Sequence, residues 1–225
     1  MAIVIPAILV ETAQEFRDRL AVLPSSVEIV SVDIMDGTFV EPTTFFDAAV
    51  AHDTPYEGLF ELDLMVDDPL PIIRAWADHP RTARAIVHAE IPHDLRDLLR
   101  AIRALHQQGM SATLDHLGEN VHSEMDAVAA ADACIAMLEK IEQAGVTANI
   151  SVKLTQLGLD LGEKVCLDNL LRIVGRARGL GNFVRIDMEG SDTTERTLAV
   201  LRKLRGEYGF DNVGIVLQAY LRRSE

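Results

Sequence analysis

Gly109-Met110-Ser111-Ala112-Thr113-Leu114-Asp115-His116-Leu117-Gly118-Glu119 is the stretch on which the reading of the fold turns, because the chain changes character across it. Residues 111–114 read as a short apolar strand following a helix and Gly109, and they deliver Asp115 and Glu119 to a strand-to-helix turn. In α/β proteins such turns, at the carboxyl ends of strands, are where chemistry is kept.

Toward the amino terminus, residues 3–9 form a continuous apolar run, and Thr12 with Glu15 makes a capping box ahead of Phe16, Leu20 and Leu23 at helical spacing. Residues 27–34 read as a second buried strand ending in Asp33-Ile34-Met35-Asp36-Gly37, where Asp36 and Gly37 suit a turn. A long loop through Pro42 leads to a short helix near 46–51. A third strand, 59–66, ends at Asp67-Asp68-Pro69 before a helix over 70–77. The fourth strand, 85–88, leads into an amphipathic helix over 93–108.

Toward the carboxyl terminus the pattern repeats. Ser123 and Asp126 cap a long alanine-rich helix that closes at Gly145, and residues 148–154 read as strand six. A helix from 163 closes at Gly179, strand seven covers 183–188, Asp192 with Glu195 caps the helix carrying Leu198, Leu201 and Leu204, and strand eight covers 213–218. Eight nearly all-apolar strands alternating with seven helices predict a parallel sheet buried on both faces. The count favours an α/β fold of the closed (βα)8 TIM barrel class, one domain over residues 1–225, rather than an open doubly wound sheet. After strand eight only residues 220–225 remain, too few for the last outer helix. The wall beside strand eight is therefore expected to be bare, and a second copy of the chain to cover it as a homo-oligomer.

Composition narrows the partners. Lys plus Arg number 21 against 35 Asp plus Glu, a formal charge of −14 that argues against nucleic acid and anionic membrane surfaces. No apolar run approaches the ~20 residues of a membrane span, and the amino terminus lacks a basic leader region, so a soluble cytoplasmic protein is expected. Cys134 and Cys166 stand singly in helix-like segments, which predicts buried free thiols rather than a disulfide or zinc site.

In the first half, Ile5-Pro6-Ala7-Ile8-Leu9, Val32-Asp33-Ile34-Met35-Asp36-Gly37-Thr38-Phe39-Val40, Leu62-Asp63-Leu64-Met65-Val66 and Val87-His88-Ala89-Glu90 follow one another at regular spacing. Together they resemble the first four strands of ribulose-phosphate 3-epimerase. That resemblance implies a metal-dependent isomerase in which a divalent cation stabilises the enediolate formed as a proton leaves a sugar carbon. Asp33 then matches the metal-binding and catalytic aspartate, and Met35 the methionine that lines the site. Ser31, Asp63 and Val10 stand where the family has two histidines and a serine. Asp33, Asp63 and His88 form the candidate divalent-metal set, oxygen ligands of the kind Mg2+ or Mn2+ accept plus one nitrogen. The alternative for His88 is a satisfied core histidine.

From Ser111 onward the chain is similar to proline dehydrogenase, on Thr113-Leu114-Asp115-His116-Leu117-Gly118-Glu119, Ile150-Ser151-Val152-Lys153-Leu154, Arg185-Ile186-Asp187-Met188-Glu189 and Val216-Leu217-Gln218-Ala219-Tyr220-Leu221-Arg222-Arg223. This resemblance implies a flavin-dependent (βα)8 enzyme that oxidises proline by hydride transfer to the flavin. It places Asp115, Lys153, Asp187 and Glu189 in the active site, Lys153 near the substrate carboxylate, and Gln218 against the flavin. The family's Arg-Val-Lys flavin contact and its carboxylate-clamping arginine pair have no counterpart in the sequence.

The join yields a hybrid of two (βα)4 halves, 1–109 epimerase-like and 110–225 proline dehydrogenase-like. The leading expectation is a chimeric TIM-barrel scaffold, engineered or recombined, without efficient activity of either parent and with no cofactor. The alternatives are a residual flavoenzyme or proline-site binder using FAD, and a metal-dependent isomerase. Inward-facing alternation would set Asp33, Asp63, His88, Asp115, Lys153, Asp187 and Glu189 around one acidic mouth. Crowded carboxylates either bind a cation there or leave Lys153 paired with a neighbouring carboxylate.

Overall fold

The computed structural model describes residues 5–88, 95–116, 118 and 121–216. Among them, eight strands alternate with seven helices, and the sheet order follows the sequence from β1 to β8. This is the α/β alternation of the (βα)8 class. The chain divides into two compact units, residues up to Thr113 and Leu114–Val216, so the boundary lies inside β5 (Ser111–Asp115), close to the junction read at 109/110.

The first unit carries β1 (Ala7–Ile8), β2 (Ile29–Met35), β3 (Leu59–Met65) and β4 (Thr82–His88), paired in parallel. β4 begins three residues earlier than periodicity suggests, because Thr82 and Arg84 pair with Phe60 and Glu61 where the register shifts. Arg84 bonds the fully buried Glu61 from this register position, a cross-strand ion pair that keeps a carboxylate tolerable inside the sheet. Val30, Ile34, Phe60, Leu62 and Leu64 are buried, as a sheet covered on both faces requires.

The helices of this unit start where the sequence signals them. α1 (Ala13–Ala21) has the Thr12–Glu15 capping box. α2 (Ala48–His52) is capped by Asp47, whose carboxylate accepts from the Ala49 N–H. α3 (Leu70–Ala77) buries Ile72, Ile73 and Trp76 and follows Pro69. α4 covers Leu95–Gln107, and its expected start at His93 lies outside the described residues.

Phe60 is the hub of the packing, edge-on to Tyr56, Trp76 and His79 at centroid distances of 5.4, 5.5 and 5.0 Å. The Trp76 indole N–H donates to the Phe46 carbonyl at 3.1 Å, tying α3 to the loop ahead of α2.

The second unit carries β6 (Ala148–Val152), β7 (Val184–Ile186) and β8 (Val213–Ile215), again parallel. α5 (Glu124–Ala144) begins at Ser123, whose hydroxyl accepts from the Asp126 N–H, and ends at Gly145 with φ 61°, a left-handed cap that glycine takes without strain. Its buried stripe of Ala127, Ala131, Cys134, Leu138 and Ile141 packs against α6 (Glu163–Gly179). Burial pushes both thiols, Cys134 and Cys166, up to about 12, which makes them inert core residues as expected.

α7 (Thr194–Gly206) departs from expectation, because its N-cap is Thr193 rather than Asp192. The Thr193 and Thr194 hydroxyls donate to the Gly190 carbonyl instead of capping, and the Asp192 carboxylate lies against Gly190. Residues 220–225, on which the missing outer helix and the bare wall depend, lie outside the described residues. No helix among the described residues is long and apolar enough to cross a membrane.

His79 is buried and lies 4.3 Å from the His52 ring, and burial followed by the charges of His52 and Arg81 holds its pKa below the ordinary value. A depressed histidine favours the neutral form in the fold, so its contribution is whole above the unfolded pKa of ~6.5 and is lost as pH falls below it. Unfolding free energy from urea titration is expected to drop more steeply between pH 7 and 5 in the parent than in His79→Gln; equal slopes would contradict this.

Candidate functional site

Parallel strands bring their carboxyl ends to one edge, so residues at or just past those ends become neighbours although they are distant in sequence. In the second unit Asp115 ends β5, Lys153 follows β6 and Asp187 follows β7. The pairing of Val152 with Ile186 sets Lys153 beside Asp187, and the Asp187 N–H donates to the Val152 carbonyl at 2.9 Å.

Lys153 Nζ donates to Asp187 Oδ2 at 2.9 Å and to Asp115 Oδ2 at 3.5 Å. The ammonium thus bridges two carboxylates, with side-chain exposures of 16% for Lys153, 3% for Asp115 and 24% for Asp187. Arg185 Nε stands 3.8 Å from the other Asp187 oxygen. Burial alone would raise the Asp187 pKa, but Lys153 and then Arg185 outweigh it and hold the carboxyl below the ordinary carboxylate value. Asp115 also makes itself felt at Cys134, where its charge adds to burial in disfavouring the thiolate.

Glu189 is held differently. Its Oε2 accepts the Thr155 N–H at 3.1 Å and its Oε1 accepts the Thr155 hydroxyl, pinning it to the loop after β6. Thr155 carries no motif or spacing that marks it in sequence. Gly118 is matched to its place, since a Cβ there would sit 2.5 Å from Gln156 Nε2. Glu119 and the candidate flavin contact Gln218 lie outside the described residues.

In the first unit, Asp33 and Asp63 are register partners on β2 and β3. Asp63 Oδ1 lies 3.0 Å from Nε2 of His88 at the end of β4, and the buried His88 ring packs against Phe39 at 5.4 Å. The Thr44 hydroxyl donates to the Asp33 carbonyl at 2.6 Å and accepts the Met35 N–H at 2.9 Å, strapping the long loop onto β2. The Asp36 carboxylate accepts from the Thr38 N–H at 3.0 Å and Gly37 has φ 79°, which is the expected turn. Asp63 and His88 therefore come together as a pair, and among the described residues no three His, Cys, Asp or Glu side chains converge to hold a metal ion.

Strands alternating with helices, and charged side chains gathered at the strands' carboxyl ends, define a protein of the (βα)8 class. Residues 98–225 match the proline dehydrogenase family and residues 3–117 the ribulose-phosphate 3 epimerase family. The chain belongs to the proline dehydrogenase family over its second part and to the ribulose-phosphate 3 epimerase family over its first.

The proline dehydrogenase of Deinococcus radiodurans is 36% identical over 133 residues, which cover 58% of this chain and 43% of that protein. This chain thus spans less than half the length of that relative. Proline utilization A from Bdellovibrio bacteriovorus, inactivated by N-propargylglycine, aligns over 57% of this chain and 16% of its own at 26% identity with a TM-score of 0.52. A protein from Aspergillus oryzae assigned to the mandelate racemase/muconate lactonizing enzymes aligns over 95% of this chain and 52% of its own at 19% identity and a TM-score of 0.56, a likeness of fold alone.

Lys153→Met leaves Asp115, buried, and Asp187 facing each other without the cation between them. The expected loss is about 3 kcal/mol of stability at pH 7 by urea unfolding. A depressed carboxyl stabilises above its unfolded pKa of ~3.9 and loses that contribution as pH falls through the folded value, so the gap between parent and variant should narrow below about pH 4. A gap that is absent at pH 7, or unchanged on acidification, would contradict the assignment.

Proposed function

We propose that the chain is a hybrid (βα)8 scaffold whose second unit keeps the substrate-holding part of a proline dehydrogenase site and binds a small amino acid of the proline type without turning it over efficiently. The observation that carries this reading is Lys153 held between Asp115 and Asp187. A zwitterion matches such an arrangement: its carboxylate takes ammonium donors of Lys153 and its charged amine faces the aspartates. The Asp115 contact, the longer of the two, is the one a substrate carboxylate would displace. The two family matches, meeting at residues 98–117, support the hybrid reading.

In the proline dehydrogenase family a flavin accepts the hydride from the substrate. The candidate flavin contact Gln218 lies outside the described residues, so the proposal rests on amino-acid binding at Lys153. Efficient dehydrogenation is therefore not part of the proposal. Nor is sugar epimerisation, since Asp63 and His88 bond each other, Ser31 lacks the imidazole and Val10 the hydroxyl that the family has at those places.

Calorimetry with L-proline is expected to give a Kd on the order of 1 mM, lost in Lys153→Met, while FAD binds more weakly than ~10 μM. Equal proline affinity in both proteins would refute the site, and tight FAD binding with proline oxidation would show a working flavoenzyme instead.

A further inference from the structure

A cavity of about 710 Å3 lies between α2 and α3, bounded also by residues 44–47 of the loop ahead of α2 and by Glu11. Phe45, Phe46, Ile72 and Trp76 form its apolar walls, while Ala48, Ala49 and Ala75 contribute only methyl groups and leave the space open. The aromatic walls are fixed in place. The Trp76 indole N–H donates to the Phe46 carbonyl at 3.1 Å, the Phe45 N–H donates to the Val10 carbonyl at 2.8 Å, and the Phe45 ring packs on Phe16 at a centroid distance of 5.7 Å. A site with preformed walls loses little binding energy to ordering them.

Two exposed acidic residues line the same space, Glu11 from the segment after β1 and Asp47 from the start of α2. Asp47 uses one oxygen to cap α2 through the Ala49 N–H at 2.9 Å, and a carboxylate has lone pairs for further donors. An aromatic cavity edged by carboxylates suits a cation carried on an apolar body. Aromatic rings attract an ammonium group through their π faces, and carboxylates accept its N–H donors in charge-assisted bonds. The formal charge of −14 draws cations toward the molecule as a whole. The volume lies within the range of small-molecule sites.

We propose that this cavity is a site for small hydrophobic amines, in which a protonated amine is carried on an aromatic body, and that it works independently of Lys153. The body lies against Phe45, Phe46 and Trp76, and the ammonium meets the carboxylates of Glu11 and Asp47.

The test is titration of the whole chain with 2-phenylethylamine, 2-phenylethanol and 3-phenylpropionate, which share a body and differ in charge. Binding is read by calorimetry and by the fluorescence of Trp76, the chain's single tryptophan and a wall of the cavity. The amine should bind with a Kd below about 1 mM and change the Trp76 emission, the alcohol should bind at least about tenfold more weakly, and the carboxylate not measurably. In the Glu11→Gln/Asp47→Asn double variant, where asparagine can still cap α2, the amine should fall to the affinity of the alcohol. Raising salt from about 0.05 to 0.3 M should weaken the amine more than the alcohol. Ala75→Leu, which fills the cavity and keeps both carboxylates, should weaken amine and alcohol alike. Lys153→Met should leave the amine titration unchanged, separating this site from the amino-acid site. No binding of the amine, amine binding that survives the double variant or leaves Trp76 unaffected, or equal binding of the alcohol would overturn the proposal.

Discussion

The chemistry of the second unit depends on one ammonium group. Without Lys153, Asp115 is a carboxylate almost wholly removed from water, beside another on the neighbouring loop. Burying such charges costs several kcal/mol each unless an opposite charge accompanies them. Asp187 is the tighter partner and Asp115 the more deeply buried one, so the bridge is asymmetric. In the proposed reading, the longer contact is the one a ligand exchanges while the shorter keeps the lysine in place.

The first unit solves a similar problem with different chemistry. Asp63 meets His88 on the adjacent strand, two residues past its register partner Ile86, and the buried Glu61 meets its own register partner Arg84. Each of these two acids has a partner supplied by the next strand. Parallel pairing makes this economical, because a single register places several such pairs at once. The same logic explains why the α/β alternation can be carried by two family relationships on one chain: what the fold requires is apolar strands, capped helices and matched registers, not a particular active site.

Much of this architecture is legible in the residues. The Thr12–Glu15 box, the Ser123 cap, the stop at Gly145 and the span of α3 follow from local hydrogen-bonding and backbone preferences, which act within a few residues. Asp192 misleads because its neighbour Thr193 takes the N-cap position while its own carboxylate folds against Gly190. Strand β4 begins early because pairing with β3, not its own periodicity, sets its start. Motif resemblance picks out Lys153, Asp187, Asp115 and Glu189, but not Thr155, whose role arises only when the loop after β6 meets the segment after β7.

The most direct test of the central claim is a carbon-13 NMR titration of the Asp187 carboxyl group in the parent and in Lys153→Met. With the lysine bridge in place, Asp187 should titrate below the ordinary carboxylate value, and its midpoint should rise in the variant, where Arg185 and a Ser151 hydrogen bond are left to oppose burial. An Asp187 midpoint at or above the ordinary value in the parent, or one that does not move when Lys153 is removed, would contradict the account.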